Sequence, residues 1–279
     1  KVDIVQRTTV DGPGVAAGGM VYLGEYEDYE FSSDKEQFRL VVSDAANPKW
    51  SVEQIQRRLV TASNRFEGGG RSEHVTVFVL SDPLRRGGLA ISTNAAVWVH
   101  EAGLESPQTT LFHEYVHTRQ DYEWTAATQW TIEGSASYYG PLLALKDGTI
   151  QYHRFHRLLE RGNEYGDVVL ADRTSWAVPA NYDLGALTLA ALDERLRKSD
   201  GRYVDVFRAK NGVEGTLTDS DFGQLAAEAG AIDGFFDEYI RSTPPTIAPP
   251  KPTMYDGPNT EAALAVEVSE LDATPGETE

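Results

Sequence analysis

The sequence predicts an α+β fold in two subdomains. An N-terminal mixed β-sheet carries one helix packed on a second, histidine-bearing helix, and an all-helical subdomain follows. Three observations carry that prediction. Runs of β-branched and aromatic residues (Phe38-Arg39-Leu40-Val41-Val42, His74 to Leu80, Ala95 to His100) all precede residue 101, and such side chains suit a pleated, half-buried surface. Past residue 126, apolar residues recur instead at helical spacing. Between the two regions stands Thr110-Leu111-Phe112-His113-Glu114-Tyr115-Val116-His117, an apolar, helix-compatible run with two histidines four apart.

Residues 1–48 read as a β-rich segment, with Val2-Asp3-Ile4-Val5 and Phe38 to Val42 as strands and Gly12-Pro13-Gly14 as a turn. Met20 to Phe31, crowded with tyrosines and acids, fits an edge strand or a loop. Ser51-Val52-Glu53-Gln54 opens a helix as a capping box, in which the serine hydroxyl and the glutamine side chain each satisfy a free backbone N–H. Val52, Ile55, Leu59 and Phe66 give it a buried stripe, and Gly68-Gly69-Gly70 ends it. His74 to Leu80 follows as a strand, then Leu89 to Thr93 and Ala95 to His100 as a hairpin around Asn94. His74 and His100, at strand ends, read as satisfied surface histidines.

Ser106 as N-cap and Pro107 in the first turn start the next helix, expected to run through His117 to about Asp121. Histidines four apart lie one above the other on a helix face, so both imidazoles reach one metal ion. Glu114 borders the same face and is placed to take a proton from an activated water. A third ligand follows at Glu133, on a second helix over about residues 127–146, after enough chain for the first helix to end and the second to return. Two histidines and a carboxylate leave one tetrahedral position open on zinc, the arrangement of a hydrolytic site. The longer metzincin pattern fails, because Gln120 and Glu123 stand where it needs Gly and His. A closed structural site fails as well, since the chain has no cysteine. Asp121 is either a partner of an imidazole or a solvated helix end.

Residues 149–180 predict a short helix bearing His153 and His156, whose neighbours include no acid, and then a loop from residue 163. A long helix begins near Tyr182, with Leu184, Leu187, Ala191 and Leu196 on its inner face. Thr218 to Gly230 is a capped helix and Ile232 to Ile240 an amphipathic one. From Ser242 onward, Pro244, Pro245, Pro249, Pro250 and Pro252 predict a stiff linker, and the remaining residues to Glu279 are acidic.

His113-Glu114-x-x-His117 followed by Trp130-x-x-Glu133-Gly134-x-Ala136-x-Tyr138 resembles the gluzincin metallopeptidases, nearest the glycyl aminopeptidase and aminopeptidase-N-like families. Asn181-Tyr182-Asp183-Leu184-Gly185-Ala186-Leu187 is similar to those families' Tyr-x-x-Gly-Ala-Leu segment, and the likeness extends over about residues 50–243. It implies a zincin-type fold over residues 49–243, divided into an α/β part (49–126) and a helical part (127–243), with 244–279 as a tail. It implies Zn2+ held by His113, His117 and Glu133, Glu114 as general base, and Tyr182 as a phenol donor to the oxyanion. Gly87, Gly88, Leu89 and Ala90 would pair with an extended peptide substrate by β-augmentation. The chain departs from the pattern in one respect: aminopeptidase-N-like enzymes carry a Glu in this strand to hold a free amine, and residues 87–93 contain no acid. Two other readings of the same motifs are a silent peptide-binding protein on this scaffold and a zinc hydrolase of a non-peptide amide.

Forty-three acidic against twenty-five basic residues give a net charge of −18, which repels nucleic acid. With few lysines among the basic residues, this surplus predicts adaptation to concentrated salt, where a Debye length of about 3 Å at 1 M screens self-repulsion. No apolar run approaches a membrane span. A chain opening at Lys1 rather than Met, with a proline-rich tail, reads as a processed, secreted or surface product as readily as a cytoplasmic one.

Overall fold

The computed structural model describes residues 8–70, 72–91, 95–104, 110–230 and 232–255. The expected strand at Val2–Val5, the turn at Asn94, the Ser106–Pro107 helix start and the tail from residue 256 lie outside the described residues. The protein is mixed α/β, and its chain divides into two units, Lys1–Asp121 and Tyr122–Glu279.

In the first unit, β1 (Gly14–Ala17) and β2 (Met20–Leu23) form an antiparallel hairpin. A five-stranded mixed sheet has the order β3-β4-β5-β7-β6, from β3 (Tyr26–Ser32), β4 (Gln37–Ser43), β5 (His74–Leu80), β6 (Gly88–Ile91) and β7 (Ala96–His100). The β4–β5 and β5–β7 pairs are parallel, and both outer pairs are antiparallel. Sequence follows position. The central strands bury Leu40, Val41, Val77, Val79, Val97 and Val99 at 1% exposure or less, as strands covered on both faces must. The acidic stretch that fitted either strand or loop is β2 plus the edge strand β3, whose exposed Glu and Asp side chains discourage pairing with another chain.

Between β4 and β5 runs α1 (Val52–Arg65), with both hydrogen bonds of the Ser51–Gln54 capping box formed. It packs against α3 (Thr110–His117). His100 corrects an expectation. It is 2% exposed, not on the surface. Its Nδ1 accepts the Ala102 N–H (3.1 Å) at the start of α2 (Glu101–Leu104), and its Nε2 faces Asp82 Oδ1 (3.3 Å).

Among its described residues, the second unit is helical apart from a two-stranded parallel pair, β8 (Glu123–Trp124) with β9 (Thr216–Leu217). Its centre is α4 (Trp130–Asp147) against α6 (Ala180–Arg197). Both are buried nearly all round, as helices inside a core must be, so the one-sided stripe expected for α6 understates its burial: Leu189, Ala190 and Leu192 are buried too. Around them lie α5 (Tyr152–Glu160), a 3-10 turn at Arg161–Tyr165, α7 (Tyr203–Lys210), α8 (Asp219–Ala229) and α9 (Phe235–Tyr239). Thr218 caps α8 in a box with Asp221.

The proline-rich segment is no free linker. Pro244, Ile247 and Pro250 are buried. Ile247 exchanges two hydrogen bonds of 2.9 Å with the Asn163 amide, and Tyr152 Oη donates to Pro250 O (2.6 Å).

Candidate metal centre

The histidine helix is shorter than expected, ending at His117 instead of near Asp121. Thr118 Oγ1 donates to Tyr115 O (2.7 Å), and the backbone tightens into three-residue bonds, Arg119 N to Val116 O and Gln120 N to His117 O. A threonine hydroxyl that competes for the helix's own carbonyls ends helices in this way. The tight turn brings Gln120 Oε1 to 2.7 Å from His117 Nδ1. With the amide oxygen as acceptor, Nδ1 carries the proton and the Nε2 lone pair is left for a ligand role. Gln120 is therefore placed to orient this imidazole, and its place three after His117 was the one sequence signal of it.

The helix buries Leu111, Phe112, Glu114, Tyr115 and Val116 and leaves His113 and His117 half-buried. Their Nε2 atoms face each other at 3.1 Å. Two nitrogens bound to one tetrahedral zinc at about 2.0–2.1 Å lie roughly 3.3 Å apart, so the pair is already near that spacing. One ligand atom from each of His113, His117 and Glu133 falls within 4.8 Å of the others, the one such group among the described residues. Imidazole and carboxylate donors in this number suit zinc with a coordination position to spare. The residues present fit the ion.

Glu114 is 7% exposed and packs under β6, the terminal strand of the sheet. A Cβ on Gly88 would stand 2.6 Å from Glu114 Cγ and 2.7 Å from its Oε1. Only glycine lets strand and carboxylate approach this closely. Gly87 to Ala90, expected as a substrate strand, thus adjoins Glu114, and Leu89 on it is 48% exposed.

Glu133 and Tyr182 belong to α4 and α6, and these helices touch backbone to backbone. A Cβ on Gly134 would lie 3.1 Å from Gly185 Cα, and one on Gly185 would lie 3.0 Å from Gly134 Cα. Gly134 follows Glu133 directly, and Gly185 stands three residues beyond Tyr182 on the same face, so the glycine contact fixes the spacing of the helices that carry both side chains. Tyr182 is half-buried in the first turn of α6, its N–H bonded to Pro179 O (2.9 Å). The neighbouring Asp183 carboxyl is pushed up by burial, with the Arg161 guanidinium at 3.1 Å opposing the shift.

Neither a family model nor a curated protein sequence matches the chain. Solved structures do. A mutant M1 zinc metallopeptidase from Deinococcus radiodurans, bound to a Tyr-Ser-Ala substrate, superposes with a TM-score of 0.62 at 17% identity, over 81% of this chain and 54% of that one. Yeast LTA4 hydrolase gives 0.55 at 12% identity, over 88% and 42%. An aminopeptidase N family protein from Idiomarina loihiensis gives 0.50 at 19%, over 91% and 45%. The chain spans about half the length of the structures it matches. At these identities the likeness is one of fold, and the fold of this chain is that of the M1 zinc metallopeptidases and their aminopeptidase N relatives.

Proposed function

We propose that the chain is the catalytic region of a gluzincin-type zinc metallopeptidase, with the sheet unit and the helical unit as the two zincin subdomains. The observation that carries this is the grouping of His113, His117 and Glu133 within 4.8 Å, with the Glu114 carboxylate one residue from the first ligand. The peptide-bound Deinococcus neighbour supports peptides as the substrate class.

In this reading His113, His117 and Glu133 hold the ion. Bound there, zinc supplies Lewis acidity to the scissile carbonyl and brings the pKa of a water near 7. Glu114 takes the proton from the attacking water as its oxygen bonds to the carbonyl carbon, then delivers it to the leaving amine as the C–N bond breaks. Its burial beneath Gly88 holds the carboxylate in place. The Tyr182 phenol donates to the oxyanion. The free edge of β6 takes the substrate as an added strand. Residues 87–93 contain no carboxylate to bind a free amine, which leaves room for internal cleavage beside removal of N-terminal residues.

Metal analysis paired with cleavage of a peptide library tests the proposal. One equivalent of zinc and chelator-sensitive turnover are expected. Glu114→Gln should abolish turnover with zinc retained, and Tyr182→Phe should lower kcat by about 10²–10³. Full activity in the Glu114 variant, or no zinc in the wild type, overturns the reading. The charge of −18 supports a second element, adaptation to concentrated salt. Desalting should then lower both melting temperature and activity. Indifference to ionic strength would remove that element alone.

A further inference from the structure

α5 and the turn after it place Arg154, Arg157 and Arg161 at i, i+3 and i+7, on one helical face. The three line a pocket of 570 Å³ in the second unit, within the range of small-molecule sites. Two of the three differ from several other arginines of that unit. Arg197, Arg208 and Arg241 each pair with an aspartate. Arg161 does likewise, with Asp183. Arg154 and Arg157 form no ion pair or side-chain hydrogen bond among the described residues, although the chain holds 43 acids.

Arg154 is the telling one. It is half-buried, and its Nε is buried without an acceptor. A buried N–H left unpaired is unfavourable, and a guanidinium presents its donors as a planar fork matched to a carboxylate or phosphate. The acids that face this pocket, Glu160 and Glu164, are both exposed to solvent. Arg157 is exposed as they are, so water screens these three charges more than it screens the half-buried Arg154. Leu158 contributes an apolar wall, and Asn163, which also holds Ile247, a polar one.

We infer that this pocket binds a small organic oxyanion, with Arg154 and Arg157 gripping a carboxylate or phosphate group and Leu158 contacting its carbon body. The site does not depend on the metal reading. Calorimetric titration of the full chain at fixed ionic strength, with benzoate and separately with inorganic phosphate, tests it. Saturable binding of either probe is expected, tighter for benzoate because of the Leu158 wall. The Arg154→Gln/Arg157→Gln double variant should weaken it by about tenfold or more, as loss of charge-assisted hydrogen bonds requires. An unchanged melting temperature in the variant would tie that loss to the pocket rather than to the fold. A Glu164→Gln variant should bind at least as tightly as wild type. No saturable binding of either probe, or binding that survives the double substitution, overturns the inference.

Discussion

Behind each helix that carries candidate ligands lies a buried polar knot, and the two are built on opposite electrostatics. Behind α3, Glu36 Oε2 accepts from Arg119 Nη2 (2.6 Å), Tyr115 Oη (2.7 Å) and Ser63 Oγ (2.7 Å), and Arg119 also bonds Tyr115. A negative and a positive charge, both buried, compensate each other. Beside α4, Lys210 is fully buried, and no carboxylate lies within ion-pair range among the described residues. Its Nζ donates to Tyr122 Oη and Tyr203 Oη (3.0 Å each) and reaches Ser135 Oγ at 3.4 Å. The faces of Tyr122 and Phe207 stand 4.7 and 5.1 Å away. Dipoles and π-faces alone meet this charge. Each knot reaches a residue close to the candidate ligands: Tyr115 between His113 and His117, and Ser135 two beyond Glu133. Fixing a helix by buried polarity thus has two solutions, one strong only while both partners remain and one that burdens the fold by itself.

The largest expected effect comes from breaking the paired knot. Arg119→Met leaves Glu36 buried without its counter-charge, which costs about 3–5 kcal/mol. Urea denaturation reads this directly, and a loss under about 1 kcal/mol would mean that the hydroxyls of Tyr115 and Ser63 suffice. Smaller is the effect of Gly134→Ala, which asks whether α4 is placed by its knot or by its backbone contact with α6. The new Cβ would meet Gly185 at 3.1 Å, where neither helix backbone yields. Overpacking of this kind costs about 1–3 kcal/mol, more than the roughly 1 kcal/mol that alanine gains in helix propensity. A lowered melting temperature with weaker zinc uptake is expected. A stabilised variant would assign the placement to the knot.

These knots mark where the sequence stops being readable. The central strands, α1 with its capping box, α8 with its own, and the grouping of His113, His117 and Glu133 were all legible, because each rests on local spacing or on a motif. The pairing of Glu36 with Arg119 spans 83 positions, and no local pattern marks either partner. Lys210 looks in sequence like an ordinary last-turn lysine of a helix that went unread. His100 failed for a similar reason: a strand end tells nothing of the helix start that covers it. The proline-rich segment failed because composition predicts stiffness, while its burial depends on Asn163 and Tyr152, far away in sequence.

The smallest effect, and the one of opposite sign, belongs to Lys210→Met. Desolvation holds the Lys210 pKa well below the ordinary lysine value. Between that lowered value and the unfolded value of about 10.4, the unfolded chain binds a proton that the folded chain has released. Stability therefore rises with pH across this window, and below the lowered pKa the full penalty of the buried ammonium is present. Methionine fills similar volume without that penalty, and the hydroxyls stay partnered, since Ser135 Oγ bonds Tyr203 Oη (2.8 Å) and Tyr122 Oη bonds Thr131 Oγ1 (3.2 Å). Stability at neutral pH should be unchanged or raised by about 1–2 kcal/mol, as when buried charges give way to apolar groups. The gap between variant and wild type should then narrow as pH rises toward about 9.5, still below the ordinary lysine value. Melting curves across that series decide it. A gap that widens with pH, or a loss above about 2 kcal/mol at neutral pH, would show that the lysine's hydrogen bonds outweigh its desolvation, and the two knots would then differ in composition but not in kind.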